Sequence, residues 1–187
     1  NTSTNLSVNV NTGVIDRYDS HDENWIVHLL DTGDKTQTGG RIKRAMQFAG
    51  KERIMATYGD GLSNVNISKL LEFHNSHGKL ATLTAVRPPS RFGEVNLTGD
   101  QVVDFKEKYQ IGKGWINGGF FVFEPEIADY IEGDDMPFER YPLETLSKEG
   151  QLMAYRHDGF WQCVDVIREK QLLEELWQSG KAPWKVW

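Results

Sequence analysis

The sequence has a single cysteine and lacks long apolar runs. Because Cys163 stands alone among 187 residues, an intrachain disulfide is excluded, and a reducing cytoplasm is the expected location. The longest predominantly apolar runs, residues 26–30 and 120–123, are far shorter than the roughly 20 residues that a membrane-spanning helix needs. No basic segment followed by an apolar one opens the chain, so we expect neither a signal peptide nor a membrane partner.

Positive charge is in deficit, because 21 Lys and Arg face 27 Asp and Glu, a net charge of −6. This balance repels nucleic acid and anionic membranes, so neither is expected as a partner. A local basic pocket for a phosphorylated ligand is compatible with it. The hydrophobic fraction of 39%, with 18 glycines, is ordinary for a globular protein and excludes disorder, and 187 residues are expected to form one domain.

The order of apolar and amphipathic segments predicts an α/β fold. Nearly continuous apolar runs alternate with segments of helical spacing, which is typical of helices covering a largely parallel sheet. The turn signal at residues 98–100 predicts a hairpin whose antiparallel strands, 94–97 and 102–105, enter the sheet. The other strands are predicted at residues 25–30, 54–58, 80–86, 115–124 and 152–155, and the helices at residues 41–49, 68–78, 125–130, 143–149 and 166–177.

An aspartate between two glycines follows the predicted strand at residues 54–58. This residue, Asp60, stands where open α/β sheets bind their ligands. A second aspartate, Asp165, precedes the last long helix. If the two carboxylates face each other, they form a suitable shell for Mg²⁺, which keeps part of its hydration. The alternatives are an Asp-Gly turn for Asp60 and a helix N-cap for Asp165.

Hydroxyl and glycine residues lead into the helix predicted at residues 41–49. Thr38, Gly39 and Gly40 precede Arg41, and the free N–H groups at a helix start attract an anion or a polar base. The alternative is a plain helix cap with a solvated basic face.

A charged pair follows the predicted hairpin, and an amide followed by two glycines stands near the start of the next predicted strand. Glu107 and Lys108 follow the hairpin, and Asn117 with Gly118 begins the strand after it. A sugar site would use such groups: carboxylate and amide for hydroxyls, ammonium for a phosphate. The alternatives are a solvated ion pair and a β-bulge at the glycines.

Three further residues are interpreted as structural. His74 and His77 end a predicted helix, where surface residues complement the helix dipole. Cys163 is interpreted as a small core residue, because no ordered Cys–His–Asp pattern accompanies it.

Seven short motifs are spread along the chain from about residue 25 to its end. They are Asp31-Thr-Gly-Asp34, Thr38-Gly-Gly-Arg41, Thr57-Tyr-Gly-Asp-Gly61, Arg91-Phe-Gly93, Ile116-Asn-Gly-Gly-Phe-Phe-Val122, Gly159-Phe-Trp-Gln162 with Asp165, and Gly180-Lys-Ala-Pro-Trp184. Together these motifs resemble those of the glucose-1-phosphate cytidylyltransferases. The resemblance implies a Rossmann-like (GT-A-like) nucleotidyltransferase fold, α/β, with a mixed, mostly parallel sheet flanked by helices.

The same resemblance implies an activity and its residues. The family transfers CMP from CTP to α-D-glucose 1-phosphate with Mg²⁺, giving CDP-glucose and pyrophosphate for surface-polysaccharide (O-antigen) synthesis, and forms homo-oligomers, hexamers in particular. The implied residues are Asp60 and Asp165 as metal ligands and, with Lys108, catalytic residues; Thr38, Gly39, Arg41 and Gly59 for the nucleotide; and Glu107, Lys108, Asn117 and Gly118 for glucose 1-phosphate.

Two departures from the family pattern stand out. Tyr109 replaces the proline that usually follows Glu107-Lys108, and roughly the first seventy residues of the family, with a Gly-rich phosphate loop and a lysine, have no counterpart. The missing initiator Met and the polar opening fit the C-terminal part of a single domain of about 250–260 residues. We therefore expect the chain alone to be nearly inactive. The alternatives are a sugar-1-phosphate nucleotidyltransferase using another nucleoside triphosphate, and a non-catalytic sugar-phosphate-binding or assembly fragment.

Overall fold

The computed structural model describes residues 5–18, 26–50, 52–88, 94–106 and 114–186. The chain divides into two compact units, Asn1–Asp31 and Thr32–Trp187. That the chain is the C-terminal part of one nucleotidyltransferase domain stays a prediction. Within the described residues, no helix combines the length and apolar character that crossing a membrane requires.

The first unit contains a β-hairpin. Strands β1 (Asn5–Val8) and β2 (Ile15–Tyr18) pair antiparallel. Asn9 holds the turn, since its side-chain oxygen accepts hydrogen bonds from the backbone N–H groups of Asn11 and Thr12, both at 3.1 Å. The hairpin was not predicted, because each strand is only four residues long and partly polar.

The strand predicted at residues 25–30 is wrong wherever it can be compared. Residues 26–30 form neither a strand nor a helix, and the side chain of Leu29 is 93% exposed. A lone strand leaves its backbone groups unpaired, and no described strand pairs with this segment. Trp25 lies outside the described residues.

The second unit contains four α-helices and eight strands among its described residues. Along the chain these are α1 (Thr38–Ala49), β3 (Ile54–Thr57), β4 (Gly61–Ser63), α2 (Ile67–His77), β5 (Ala81–Val86), β6 (Glu94–Thr98), β7 (Gln101–Lys106), β8 (Ile116–Phe123), a 3₁₀ helix (Pro125–Tyr130), α3 (Tyr141–Lys148), β9 (Leu152–His157), β10 (Trp161–Cys163) and α4 (Ile167–Gln178).

Strands β3, β8, β5 and β9 form the central sheet in this spatial order. β5 and β9 are parallel and β8 runs antiparallel to β3 and β5, so three of the four strands point the same way. The predicted mixed, mostly parallel sheet is confirmed. The carboxyl ends of β3, β5 and β9 and the amino end of β8 therefore lie at one edge, which we call the carboxyl edge.

Apolar packing against one face of the sheet forms the main core. Phe121 and Phe123 of β8 pack in one cluster with Met46 of α1 and Leu146 of α3. All four side chains are buried. The predicted helices supply the apolar stripes that cover this face, so the α/β arrangement follows from the alternating pattern of the sequence.

Helix α2 covers the opposite face of the sheet. Its two histidines were predicted to lie on the surface, and this prediction is wrong. His74 is 1% exposed, and its ring nitrogens lie 2.8 Å from Thr82 Oγ1 and 3.1 Å from Glu124 Oε1. His77 is partly buried and lies 2.8 Å from the same hydroxyl. Thr82 alternates with the core residue Ala81 along β5, so it points away from the main core and towards α2.

The predicted hairpin is present, but it does not enter the central sheet. β6 and β7 pair antiparallel through a turn in which Gly99 has a φ of +59°. In the described part of the chain these two strands pair only with each other. The antiparallel member of the central sheet is β8 instead, which lies between β3 and β5 and pairs antiparallel with both.

Candidate functional site

Asp60 and Asp165 are brought together by a ribbon of two short strands. β4 and β10 pair antiparallel, with Gly61 opposite Cys163, and the Val164 N–H donates to the Asp60 carbonyl at 2.9 Å. Asp60 precedes β4 and Asp165 follows β10, so both leave the same end of the ribbon, and both are exposed. The sequence did not predict this ribbon, because a three-residue strand shows no readable alternation.

Asp165 is not the N-cap of α4, which was the alternative to a metal-binding role. The cap is supplied from inside the helix, where Glu169 Oε2 accepts the backbone N–H groups of Asp165 at 2.7 Å and Val166 at 3.2 Å. Glu169 is 7% exposed, so this cap is a fixed part of the fold. The carboxylate of Asp165 accepts from the Cys163 thiol at 3.4 Å.

The donor set around Asp165 fits a hard cation held by few protein oxygens. Ligand atoms of Cys163, Asp165 and Glu169 lie within 4.8 Å of one another. A thiol is a poor ligand for Mg²⁺, and the Glu169 oxygen is committed to two backbone N–H groups. Asp165, together with Asp60 across the ribbon, therefore offers carboxylate oxygens at an exposed position, which suits an ion that keeps several waters.

A chain of hydrogen bonds joins α1 to the amino end of β8. Thr38 Oγ1 donates to Glu139 Oε2 at 2.6 Å, and the Tyr58 phenol donates to Oε1 of the same carboxylate at 2.6 Å. The side-chain amide of Asn117 donates to the Tyr58 oxygen at 3.2 Å, while its oxygen accepts the Gly119 N–H at 2.9 Å. Thr38 and Asn117, predicted for different substrates, thus share one network.

The protonation states in this network follow from its contacts. Burial, the hydrogen bond to Glu139 and the charge of that carboxylate raise the pKa of Tyr58 well above its usual value. Burial raises the pKa of Glu139, but the hydrogen bonds from Thr38 and Tyr58 outweigh it and leave the pKa below its usual value. Tyr58 is therefore a phenol that donates, and Glu139 is an ionised acceptor.

The start of α1 is tied to the chain itself. The Gly39 N–H donates to the Met136 carbonyl at 3.0 Å, and a Cβ at Gly39 would lie 2.5 Å from that oxygen. Arg41 donates to Thr32 Oγ1 at 2.6 Å and to the Asp34 carbonyl at 3.3 Å. Close packing therefore explains the glycine, and loop anchoring explains the arginine; nucleotide contact by either residue stays a prediction.

The glycines near the ribbon differ in what they tolerate. The Gly118 carbonyl accepts the Trp161 indole N–H at 2.8 Å, and a Cβ at Gly118 would lie 2.6 Å from Val86 Cγ1. A Cβ at Gly59 would meet nothing within 4 Å. Packing therefore requires Gly118, whereas Gly59 leaves open space beside Asp60 and Tyr58.

Some predicted residues cannot be compared, and others were missed. Glu107 and Lys108 lie outside the described residues, as does the motif at residues 91–93. Glu139 and Tyr58 were not predicted to act, although Tyr58 stands inside the quoted motif around Asp60. No separate role was predicted for Trp161, which stands inside the motif at residues 159–162, yet its indole joins the ribbon to β8.

Curated proteins similar to the chain carry the names of sugar-1-phosphate nucleotidyltransferases. The chain is 48% identical over 166 residues to the glucose-1-phosphate cytidylyltransferase of Salmonella typhimurium, which covers 88% of this chain and 65% of that protein. It is 31% identical over 119 residues to the mannose-1-phosphate guanylyltransferase catalytic subunit beta of Xenopus tropicalis, covering 61% of this chain and 32% of that protein. The chain therefore spans about two thirds or less of the length of these relatives.

A solved structure and a family match give the same fold. HddC from Yersinia pseudotuberculosis superposes with a TM-score of 0.56 at 22% identity, covering 77% of this chain and 64% of that one. At this identity the likeness bears on the fold. Residues 19–164 match the family described as nucleotidyl transferase. Because this match spans most of the sequence, the chain belongs to the nucleotidyl transferase family.

Proposed function

We propose that the chain provides the metal-binding and sugar-phosphate-binding part of a glucose-1-phosphate cytidylyltransferase. The observation that carries the proposal is the placement of Asp60 and Asp165 at one end of the β4–β10 ribbon. The 48% identity to the Salmonella typhimurium enzyme supports the choice of CTP and glucose 1-phosphate as substrates. The activity is proposed for a protein of that relative's length.

In the proposed reaction, a phosphate oxygen of glucose 1-phosphate attacks the α-phosphorus of CTP. The bond between that phosphorus and the bridging oxygen to the β-phosphate breaks, and pyrophosphate leaves with the electron pair. No protein nucleophile is needed, because such a transfer depends on positioning and on neutralising charge. Asp60 and Asp165 would hold Mg²⁺, whose charge offsets that of the phosphates when it is bound.

The remaining residues are assigned to the two substrates. Thr38, Gly39, Arg41 and Gly59 are proposed for the nucleotide, and Glu107, Lys108, Asn117 and Gly118 for the sugar phosphate, with Lys108 neutralising the attacking phosphate. The Asn117 amide is held on both sides, by Tyr58 and by the Gly119 N–H, so it would present a fixed orientation to a sugar hydroxyl.

The wider setting is proposed on the same basis. CTP is a cytoplasmic metabolite, so the reaction is proposed to take place in the cytoplasm. The CDP-glucose is proposed to supply the synthesis of surface polysaccharide such as O-antigen. The enzyme is proposed to act as a homo-oligomer. By itself, the 187-residue chain is expected to bind ligands and to turn over little.

Calorimetry tests the substrates on the chain itself. Glucose 1-phosphate is expected to bind the wild-type chain and to bind Asn117→Ala several-fold more weakly, because the variant lacks the fixed amide. Asn9→Ala, which removes an amide from the turn between β1 and β2, is the matched control and should bind like wild type. No measurable binding of glucose 1-phosphate to wild type would contradict the sugar-phosphate assignment.

The choice of base is tested separately. Mannose-1-phosphate guanylyltransferase is among the relatives at 31% identity, so use of another nucleotide is the second candidate. Competition among CTP, UTP, GTP and ATP in the presence of Mg²⁺ is expected to favour CTP. A preference for GTP, or equal binding of all four, would overturn the cytidylyl assignment and leave the family membership intact.

A further inference from the structure

Two arginines and a tryptophan form a cluster at the carboxyl edge of the central sheet. Arg87 directly follows β5, Arg156 is the penultimate residue of β9, and Trp115 directly precedes β8. The guanidinium carbon of Arg87 lies 4.5 Å from the centre of the Trp115 ring, and that of Arg156 lies 5.9 Å from it. We call these residues the Arg–Trp cluster.

Strand register places the cluster beside Asn117. Ala85 of β5 pairs with Asn117 on one side and with Arg156 on the other. Directly paired residues point to the same face of a sheet, so Asn117 and Arg156 share a face with Ala85 between them. The carboxyl edge is also where sheets of this kind bind their ligands.

The cluster carries excess positive charge in a chain whose net charge is −6. Arg87 pairs with Asp158 at 3.5 Å, but the Asp158 side chain is 73% exposed, so this ion pair is weak. Within the described residues, Arg156 has no carboxylate partner; its contact is with the Trp115 ring. The indole face restrains the guanidinium groups, so less side-chain freedom is lost when an anion binds.

We propose that Arg87 and Arg156, held by Trp115, bind the phosphate group of the sugar 1-phosphate. This inference rests on the proposed function, which supplies a phosphate monoester as acceptor. The planar guanidinium groups match the oxygens of a phosphate, and bidentate contacts add orientation to charge. The cluster lies on the β5–β9 side of Asn117, whereas Tyr58 and the network leading to Thr38 lie on the β3 side. This placement favours the sugar phosphate over the triphosphate.

The test titrates glucose 1-phosphate, inorganic phosphate and CTP with Mg²⁺ into the full chain by calorimetry. Arg87→Gln and Arg156→Gln should each lower the affinity for glucose 1-phosphate about tenfold, which is the lower end of the effect of losing a hydrogen bond to a charged group. The affinity for CTP should stay within about twofold of that of wild type. Lys148→Gln, which removes one exposed positive charge from α3, is the matched control and should change neither affinity. Wild-type affinity for glucose 1-phosphate in both arginine variants would overturn the proposal.

Two further outcomes separate the inference from the proposed function. If inorganic phosphate binds in an arginine-dependent manner and glucose 1-phosphate binds no more tightly, the phosphate site stands and the sugar-phosphate function fails. If the variants weaken CTP as much as glucose 1-phosphate, the sugar-phosphate assignment of the cluster is overturned. A local readout accompanies the calorimetry: the indole N–H resonance of Trp115, identified with Trp115→Phe, should shift on titration with inorganic phosphate, and an unmoved resonance would contradict the site.

Discussion

The Tyr58 phenol donates a 2.6 Å hydrogen bond to Glu139, and this bond joins residues proposed for two different substrates. Thr38, proposed for the nucleotide, donates to the other oxygen of the same carboxylate at 2.6 Å. Asn117, proposed for the sugar, donates to the Tyr58 oxygen at 3.2 Å. A change at Tyr58 is therefore expected to be felt on both sides of the site.

Tyr58→Phe is predicted to lower the free energy of unfolding by about 1 kcal/mol, because the partly buried Tyr58 side chain loses its hydrogen bond to the exposed Glu139 carboxylate. It should also weaken glucose 1-phosphate binding several-fold, since Asn117 loses a fixed partner. Urea unfolding and calorimetry measure the two effects. The matched control is Tyr130→Phe, which removes an equally short phenol bond, 2.6 Å, to Glu149. The account is contradicted if both variants bind glucose 1-phosphate like wild type.

Glu169 is predicted to stabilise α4 and to position Asp165 at the same time. Glu169→Ala should lower the free energy of unfolding by about 1 kcal/mol, the usual cost of losing a helix cap, and should weaken divalent-metal binding because the Asp165 backbone loses its anchor. Glu169→Gln keeps an oxygen acceptor at the same place and should restore most of both losses. Equal metal binding by the Ala and Gln variants would show that the cap does not position Asp165.

The hydrogen bonds around His74 fix which ring nitrogens carry protons. Glu124 is an acceptor only, since hydrogen bonds from Arg53 hold its pKa below the usual value, so His74 Nε2 carries the proton that faces it. The Lys79 N–H donates to His77 Nδ1, so His77 Nε2 carries a proton towards Thr82. The Thr82 hydroxyl can then donate to His74 Nδ1. A second proton on His74 would sit on Nδ1, so the Thr82 hydroxyl could no longer donate its hydrogen bond there.

Stability is therefore predicted to fall as the pH drops below about 6.5. Burial lowers the pKa of His74 and of His77 in the folded chain, so between the folded pKa values and 6.5 the unfolded chain binds more protons. The contribution of the two neutral imidazole rings to the free energy of unfolding is fully present above pH 6.5 and is lost as the pH falls below that value. Urea unfolding of wild type between pH 7.5 and 5.5 measures the slope. His74→Gln should reduce it and the double variant with His77→Gln further; an unchanged slope in both variants would contradict the assignment.

Much of the second unit was predictable because its segments are long or clearly bounded. The strand β5 is a continuous buried run, and α2 ends at Gly78, which has a φ of +61°. The sequence analysis raised the possibility that the carboxylates of Asp60 and Asp165 face each other, and this stays a prediction. The structure places both residues at one end of the β4–β10 ribbon. The ribbon itself was not predicted, because three-residue strands carry no periodic signal.

Residues that act through distant partners could not be found from local patterns. Glu139 stands 101 positions from Thr38 and 81 from Tyr58, so its role exists only once the chain is folded. His74 was placed on the surface because its helix position suggested it, whereas its environment is set by Thr82 and Glu124, on β5 and directly after β8. Tertiary packing, not propensity, decided both positions.

The central claim is that Asp60 and Asp165 hold one divalent ion between them. Free Mn²⁺, counted by electron paramagnetic resonance during titration, measures binding to wild type, Asp60→Asn, Asp165→Asn and the double variant, with Asp129→Asn on the 3₁₀ helix as the matched control. Since losing an outer-shell partner already costs about 10–100-fold, each single substitution should weaken Mn²⁺ at least about tenfold. The double variant should lose little more, because both residues serve one ion. Wild-type affinity in either single variant, or independent additive losses, would contradict the claim.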